Sequence, residues 1–115
     1  MILLIEDDHD IRDSFRQILE DMGHSVLSAA NGWDAIALLE KIPNPLLIIL
    51  DLSMPIMNGE EFLKLKEAHP KLSEIPVLIA SSHENRIGEL RNYPFIKKPV
   101  DMEAFIKKVN LCLKP

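Results

Sequence analysis

Polar side chains capable of chemistry follow short apolar runs at several places along the chain. In chain order they are Glu6, Asp7, Asp8, Asp51, Ser81, Ser82, Lys98 and Pro99. If the apolar runs are parallel strands of one sheet, their carboxyl ends meet at one edge, where such sheets bind their ligands. The pattern therefore predicts a site in which carboxylates lie together, with a hydroxyl and an ammonium group facing them.

The carboxylates of this site need a counter-charge, since two of them at 4 Å repel by roughly 4 kcal/mol at an effective dielectric constant near 20. Oxygen ligands without His or Cys suit a hard cation that keeps some of its waters: Mg²⁺, with Mn²⁺ as a substitute. Each residue also has a simpler interpretation. Asp7 and Asp8 form a turn that caps a helix, Asp51 forms an Asx-turn, and Lys98 is solvated. Their joint placement at one sheet edge favours the metal site.

The elements that position these residues alternate between apolar strands and amphipathic helices. Strands are predicted over residues 1–5, 25–30, 46–50, 77–80 and 95–97. Helices are predicted over residues 11–22, 32–42, 60–69, 84–91 and 101–113. Gly23 is expected just past the end of the first helix, and Asp101 is expected as the N-cap of the last. Trp33 and Met57 are predicted to be packing residues.

Strands that are apolar throughout are typical of parallel sheets covered by helices on both sides. The order of elements predicts an α/β fold, with a (βα)₅ doubly wound, parallel five-stranded sheet in a flavodoxin-like three-layer sandwich. The chain is too short for an eight-unit barrel, which favours this open sheet, and its length is that of one domain, so residues 1–115 are expected to form a single domain.

Composition narrows the class of protein further. The 13 Lys and Arg residues against 18 Asp and Glu give a net charge of −5, which argues against nucleic-acid binding because phosphate contacts need a cationic surplus. The apolar runs are far shorter than the roughly 20 residues of a membrane span. No signal-peptide pattern is visible and the single cysteine, Cys112, has no disulfide partner, so we expect a cytoplasmic protein.

Four segments together form a specific signature. They are Ile-Glu-Asp-Asp (5–8), Leu-Asp-Leu-Ser-Met-Pro-Ile-Met-Asn-Gly (50–59), Pro-Val-Leu-Ile-Ala-Ser (76–81) and Lys-Lys-Pro (97–99). These segments resemble the response-regulator receiver domain, the phosphoacceptor module of two-component signalling, over nearly the whole chain and in the right order. The resemblance implies a signal-transduction switch of a two-component system or phosphorelay that changes partner binding on phosphorylation, and not a turnover enzyme.

The resemblance also implies which residues accept the phosphoryl group and hold the metal. Asp51 would accept it from a phosphohistidine on a histidine kinase or histidine phosphotransfer protein. Mg²⁺ would be bound directly by Asp8, Asp51 and the backbone carbonyl of Ser53, with Asp7 acting through a metal-bound water.

Other residues would hold the phosphoryl group and transmit its presence. Lys98 and the Ser81 hydroxyl would contact phosphoryl oxygens, and the peptide bond between Lys98 and Pro99 would be cis. Movement of Ser81 toward the phosphoryl group would vacate space for Phe95, which makes these two residues the predicted switch. A static core position for Phe95 is the equally weighted alternative.

The chain departs from the family pattern just before the predicted fifth strand. Residues 82–97 are several fewer than receivers usually place there, and Tyr93-Pro94 stands where Gly-Ala is common. We therefore expect a shortened fourth helix and a monomer that does not form the phosphorylation-dependent dimer of DNA-binding regulators. Ser53 and His83 would tune dephosphorylation, with a solvated loop histidine as the alternative for His83.

Two other functions stay open at this point. A Mg²⁺-dependent phosphohydrolase with an Asp nucleophile would need an acid/base Asp two residues after Asp51, where Ser53 stands. A receiver-fold binding module that is never phosphorylated would be expected to lack an acidic residue, the acceptor or the lysine, and all of them are present. For the receiver function, the expected partners are a histidine kinase or histidine phosphotransfer protein and a downstream protein, without direct contact to nucleic acid or membrane.

Overall fold

Strands and helices alternate along the chain, as the apolar pattern predicts. A computed structural model describes residues 1–52, 57–81 and 93–113. Its strands are β1 (Ile2–Ile5), β2 (Val26–Ala29), β3 (Leu47–Asp51), β4 (Val77–Ser81) and β5 (Phe95–Lys97). Its helices are α1 (His9–Asp21), α2 (Gly32–Leu39), α3 (Gly59–Ala68) and α4 (Met102–Leu113), and a short 3₁₀ helix covers Leu72–Glu74. The predicted short fourth helix, residues 84–91, lies outside the described residues, so α4 corresponds to the fifth predicted helix.

The five strands form one parallel sheet in the order β2-β1-β3-β4-β5. The chain runs from β1 outward to β2 and then returns across the sheet to β3, so the winding direction reverses between β1 and β3. In open α/β sheets, ligands bind beyond the carboxyl ends of the strands at this reversal. The predicted doubly wound (βα)₅ sandwich is confirmed, and it directs attention to the ends of β1 and β3.

Apolar side chains cover the sheet on both sides, which explains why β1 and β3 are buried along their whole length. Leu39 of α2 and Phe62 of α3 belong to the core on one side of the sheet. Phe15 of α1 and Phe105 of α4 belong to the core on the other side, where their rings stack with centroids 4.6 Å apart. The two central strands are therefore packed between helices on both sides, and this packing fixes the positions of the residues at their ends.

Identifiable residues cap the helices at their amino or carboxyl ends. Gly23 has φ of 97° just after α1, a conformation that favours glycine, as predicted for this position. The Asp101 carboxylate accepts a hydrogen bond from the Ala104 amide at 3.0 Å, which confirms it as the N-cap of α4. Asn58 caps α3 in the same way through the Glu61 amide at 2.9 Å. In the described ranges, no helix is both long and apolar enough to cross a membrane.

Some predictions about single residues are wrong. Trp33 is 58 % exposed, because the first turn of α2 directs Ala35 toward the core instead. Leu46 is also 58 % exposed, since β3 begins one residue later and ends at Asp51. Met57, by contrast, is buried in the core as predicted.

Candidate functional site

Three carboxylates lie together at the carboxyl ends of β1 and β3. Glu6 and Asp7 follow β1, Asp51 ends β3, and one oxygen from each of the three lies within 4.8 Å of the others. The strand register causes this, because Ile5 pairs with Leu50 and the next residues along both strands are therefore neighbours. Glu6 and Asp51 are buried, whereas Asp7 is exposed.

Lys98 provides the positive charge at this cluster. Its Nζ lies 2.5 Å from Glu6 Oε1 and 3.6 Å from Asp51 Oδ1. The Lys98 amide donates to the Ser81 carbonyl at 2.9 Å, which places the side chain just beyond β5 at the same sheet edge. The peptide bond between Lys98 and Pro99 is cis, as predicted.

A cavity of about 430 Å³ opens over these residues. It is lined by Glu6, Asp7, Asp8, Ile11, Asp51, Lys98 and Pro99. Carboxylates outnumber ammonium groups in this lining, so its formal charge is negative and a cation would relieve their mutual repulsion. The atoms that these side chains offer to a metal ion are all carboxylate oxygens, and such a set of ligands fits Mg²⁺, or Mn²⁺ in its place.

Asp8 has the simpler of the two roles considered for it, that of a helix cap. Its Oδ1 accepts hydrogen bonds from the amides of Asp10 at 2.9 Å and Ile11 at 3.1 Å, which makes it the N-cap of α1. That oxygen satisfies amides that have no partner within the helix. The acidic pair facing Asp51 is therefore shifted by one residue: it is Glu6 and Asp7, whereas the prediction was Asp7 and Asp8.

The two predicted switch residues lie on neighbouring strands. Ser81 is buried at the end of β4, and Phe95 pairs in register with Ile79, two residues earlier. Because side chains alternate along a strand, Ser81 and Phe95 face the same side of the sheet. Phe95 is 36 % exposed, so it is not fully enclosed in the core, and its movement stays a prediction. The other two predicted residues, Ser53 and His83, lie outside the described residues.

Sequence reasoning missed two residues that contribute to this site. Glu6 was predicted to lie at this edge but not to join the acidic group, although it directly continues an unbroken apolar run. Arg12 of α1 donates from Nη1 to the Glu6 carbonyl at 2.9 Å. No pattern marks Arg12 in advance, because a cation in the first turns of an amphipathic helix is usually solvated.

The chain belongs to the response regulator receiver domain family, whose model matches residues 2–110. Protein PilH of Pseudomonas aeruginosa is 30 % identical, over 97 % of this chain and 96 % of its own length. An uncharacterised 14.6 kDa protein of Leptolyngbya boryana is 35 % identical, over 94 % of this chain and 86 % of its own. Among solved structures, chemotaxis protein CheY4 of Vibrio cholerae superposes with a TM-score of 0.89 at 27 % identity, covering 97 % of both chains.

Family membership defines the class of function. Receiver domains are the switches of two-component signalling and are not turnover enzymes; phosphorylation of an aspartate is their common feature, and they bind Mg²⁺ at an acidic pocket. The cluster of Glu6, Asp7 and Asp51 is the acidic pocket of this chain. The resemblance found in the sequence motifs is thereby confirmed.

Proposed function

We propose that this receiver domain accepts a phosphoryl group on Asp51 from a phosphohistidine of a histidine kinase or histidine phosphotransfer protein. The observation that supports this best is the position of Asp51 in the cavity, with Lys98 Nζ 3.6 Å from its Oδ1 and the oxygens of Glu6 and Asp7 within 4.8 Å. A carboxylate in this position has a cation beside it and space for a phosphoryl group in front of it.

The proposed step needs little from the protein beyond placement and charge. An Asp51 carboxylate oxygen attacks phosphorus, the new P–O bond forms, and the P–N bond to the donor imidazole breaks. The imidazole nitrogen keeps the bonding electron pair and takes up a proton. Lys98 already lies beside Asp51 and can pair with the phosphoryl oxygens, which stabilises charge that develops during transfer.

The metal ligands that we propose follow the observed cluster and differ from the original prediction. Asp7 and Asp51 would bind Mg²⁺ directly together with the backbone carbonyl of Ser53, as the family pattern implies for that carbonyl. Glu6 would act through water, because its Oε1 is already paired with Lys98. When bound, Mg²⁺ neutralises negative charge on the transferring group. Asp8 is left out, since the α1 amides occupy its Oδ1.

The phosphorylated state would be read through Ser81 and Phe95. A phosphoryl group adds strong hydrogen-bond acceptors, which draw the Ser81 hydroxyl toward Asp51. Phe95 lies on the same side of the sheet and has part of its surface in solvent, so it can turn into the space that Ser81 leaves. We propose that this movement changes the surface offered to a downstream protein.

Two further properties are part of the proposal. The domain acts as a cytoplasmic monomer. Ser53 and His83 tune the lifetime of the phosphoryl group.

Intact-mass spectrometry after incubation with acetyl phosphate and Mg²⁺ tests the proposal. The wild-type chain should gain one phosphoryl mass, and both Asp51→Asn and removal of Mg²⁺ with EDTA should abolish the gain. Asp21→Asn is the matched control, because the same substitution there falls on an exposed residue at the far end of α1 from the site and should leave the gain intact. An unchanged mass for the wild type would contradict the proposal and favour a binding module that is not phosphorylated.

A further inference from the structure

Arg12 contacts the short turn that carries the acidic pair. Its Nη1 donates to the carbonyl oxygen of Glu6 at 2.9 Å, and its backbone amide donates to the carbonyl oxygen of Asp8, also at 2.9 Å. Asp7 is the residue between those two carbonyls. Arg12 therefore holds the backbone on both sides of Asp7, once through its side chain and once through the helix.

Asp7 depends on this support because its carboxylate has none of its own. Glu6 is held by Lys98 through Oε1, and its Oε2 accepts from the Asp8 amide at 3.3 Å. The Asp7 side chain is exposed, and within the described part of the chain nothing donates a hydrogen bond to it. The direction of this carboxylate is therefore set by the backbone of the turn.

The chemistry of arginine suits this task. A guanidinium keeps its charge across the accessible pH range, and its planar set of donors gives a hydrogen bond of defined direction. Together with Lys98 it also places a second positive charge at a turn where three consecutive residues are acidic. Groups that orient the residues around a metal ion typically change metal affinity 10–100-fold when they are lost.

We infer that Arg12 is a positioning residue for Asp7: it holds the turn between β1 and α1 so that the Asp7 carboxylate faces Asp51, and it thereby sets the affinity for Mg²⁺. The inference rests on the proposed function. It adds a residue outside the group that touches the metal or the phosphoryl group.

Calorimetric titration of the full chain with Mg²⁺ tests the inference. Arg12→Met should weaken Mg²⁺ binding about tenfold or more, and Arg12→Lys, which keeps a cationic donor, should recover part of the loss. Arg16→Met is the matched control, because Arg16 lies one turn further along α1 and pairs with Asp13 instead of the turn. At saturating Mg²⁺, the phosphorylation rate of Arg12→Met should return to near that of the wild type.

A second measurement needs no metal. In metal-free protein, amide hydrogen exchange at Asp8 should become several-fold faster in Arg12→Met and stay unchanged in Arg16→Met, because the turn loses a constraint only in the first variant. Equal Mg²⁺ affinity and equal exchange in wild type and Arg12→Met would overturn the inference while leaving the proposed function intact. A wild-type chain that Mg²⁺ does not saturate would contradict the proposed function, and the inference with it.

Discussion

Two lysines are largely buried at opposite ends of the strands, and their surroundings differ. Lys98, beyond β5, contacts Glu6 and Asp51 while the Asp7 carboxylate also lies in the group. One ammonium group therefore faces three carboxylates. The surplus of negative charge destabilises the folded state through repulsion between the carboxylates, and a bound cation would offset this repulsion.

Lys66, near the amino end of β4, lies in a balanced cluster. Its Nζ contacts Glu67 Oε1 and the Ser73 carbonyl, each at 3.2 Å, and the Tyr93 hydroxyl donates to the same Glu67 oxygen at 2.8 Å. The hydrogen bond from Tyr93 lowers the pKa of Glu67. Burial, followed by the hydrogen bond to Glu67, raises the pKa of Tyr93 to about 12.

Cavity size does not distinguish these two regions. The cavity beside Lys66 measures about 330 Å³, close to the 430 Å³ beside Lys98. The difference lies in the balance of charge, since Lys66 pairs with one carboxylate, Glu67, whereas Lys98 faces Glu6, Asp7 and Asp51 together. The excess of carboxylates over lysine at the strand ends therefore marks the functional site, whereas the charges of Lys66 and the half-exposed Glu67 balance each other.

The largest expected difference between the two lysines is in phosphorylation. Lys98→Met should slow phosphorylation by acetyl phosphate at saturating Mg²⁺ roughly 100-fold or more, because a preorganised donor to the developing charge is lost. Lys66→Met should leave the rate nearly unchanged, since the substitution removes a charge of similar burial that lies away from the acceptor. Thermal melts first establish that both variants fold, and initial rates are then compared. Similar losses of rate in both variants would mean that the two clusters do not differ in function.

Within the site, the acidic pair gives a smaller but sharper test. Asp7→Asn should weaken Mg²⁺ binding by about tenfold or more, because one of the two carboxylates proposed to bind the ion directly, at about 2 Å, loses its charge. Asp8→Asn should change it little, since Asn is an equivalent N-cap. Calorimetry on both variants measures the difference. The reverse ranking would restore the original assignment of Asp8 as the ligand.

The smallest effect is expected at the balanced cluster. Tyr93→Phe removes a hydrogen bond to a partly exposed carboxylate and should lower the free energy of unfolding by about 1 kcal/mol at neutral pH, with no change in phosphorylation. Urea unfolding measures the first quantity and the acetyl phosphate assay the second. A changed phosphorylation rate would show that the two regions are coupled.

The same tyrosine makes stability depend on pH in a defined direction. Its pKa is about 12 in the folded chain against 10.0 as the ordinary value, so the folded state binds the phenolic proton more tightly. The resulting stabilisation is complete below pH 10 and is lost as the pH rises toward 12. Wild type should therefore lose more stability than Tyr93→Phe across that interval. Parallel losses in the two chains would contradict this account.

Much of the fold could be predicted because its signals are local. Unbroken apolar runs predicted β1 and β3 as buried strands, and the spacing of Phe15 and Leu19 predicted the buried face of α1. Trp33 was placed wrongly, because its position on α2 depends on which residues of the helix meet the core, and the spacing of apolar residues in a short helix leaves that choice open.

The site could be predicted in part for the same reason. Asp51 and Lys98 each follow a predicted strand, and parallel strands bring their ends to one edge regardless of detail. Local signals could not predict which two of the three acidic residues after β1 face Asp51, since Glu6, Asp7 and Asp8 are consecutive and chemically similar. The contact from Arg12 to the Glu6 carbonyl could not be predicted from local signals either, because the sequence pattern does not indicate which conformation a long side chain adopts.

The sequence by itself determined the alternation of elements, the parallel sheet and the edge at which acids and lysine gather, since hydrophobic periodicity and chain order suffice for these. Only the tertiary structure decided that Glu6 and Asp7 face Asp51 while Asp8 caps a helix. That outcome depends on where β1 stops and on a lysine 92 residues away that neutralises buried Glu6. Long-range pairing of charge, unlike periodicity, exists only once the chain has folded.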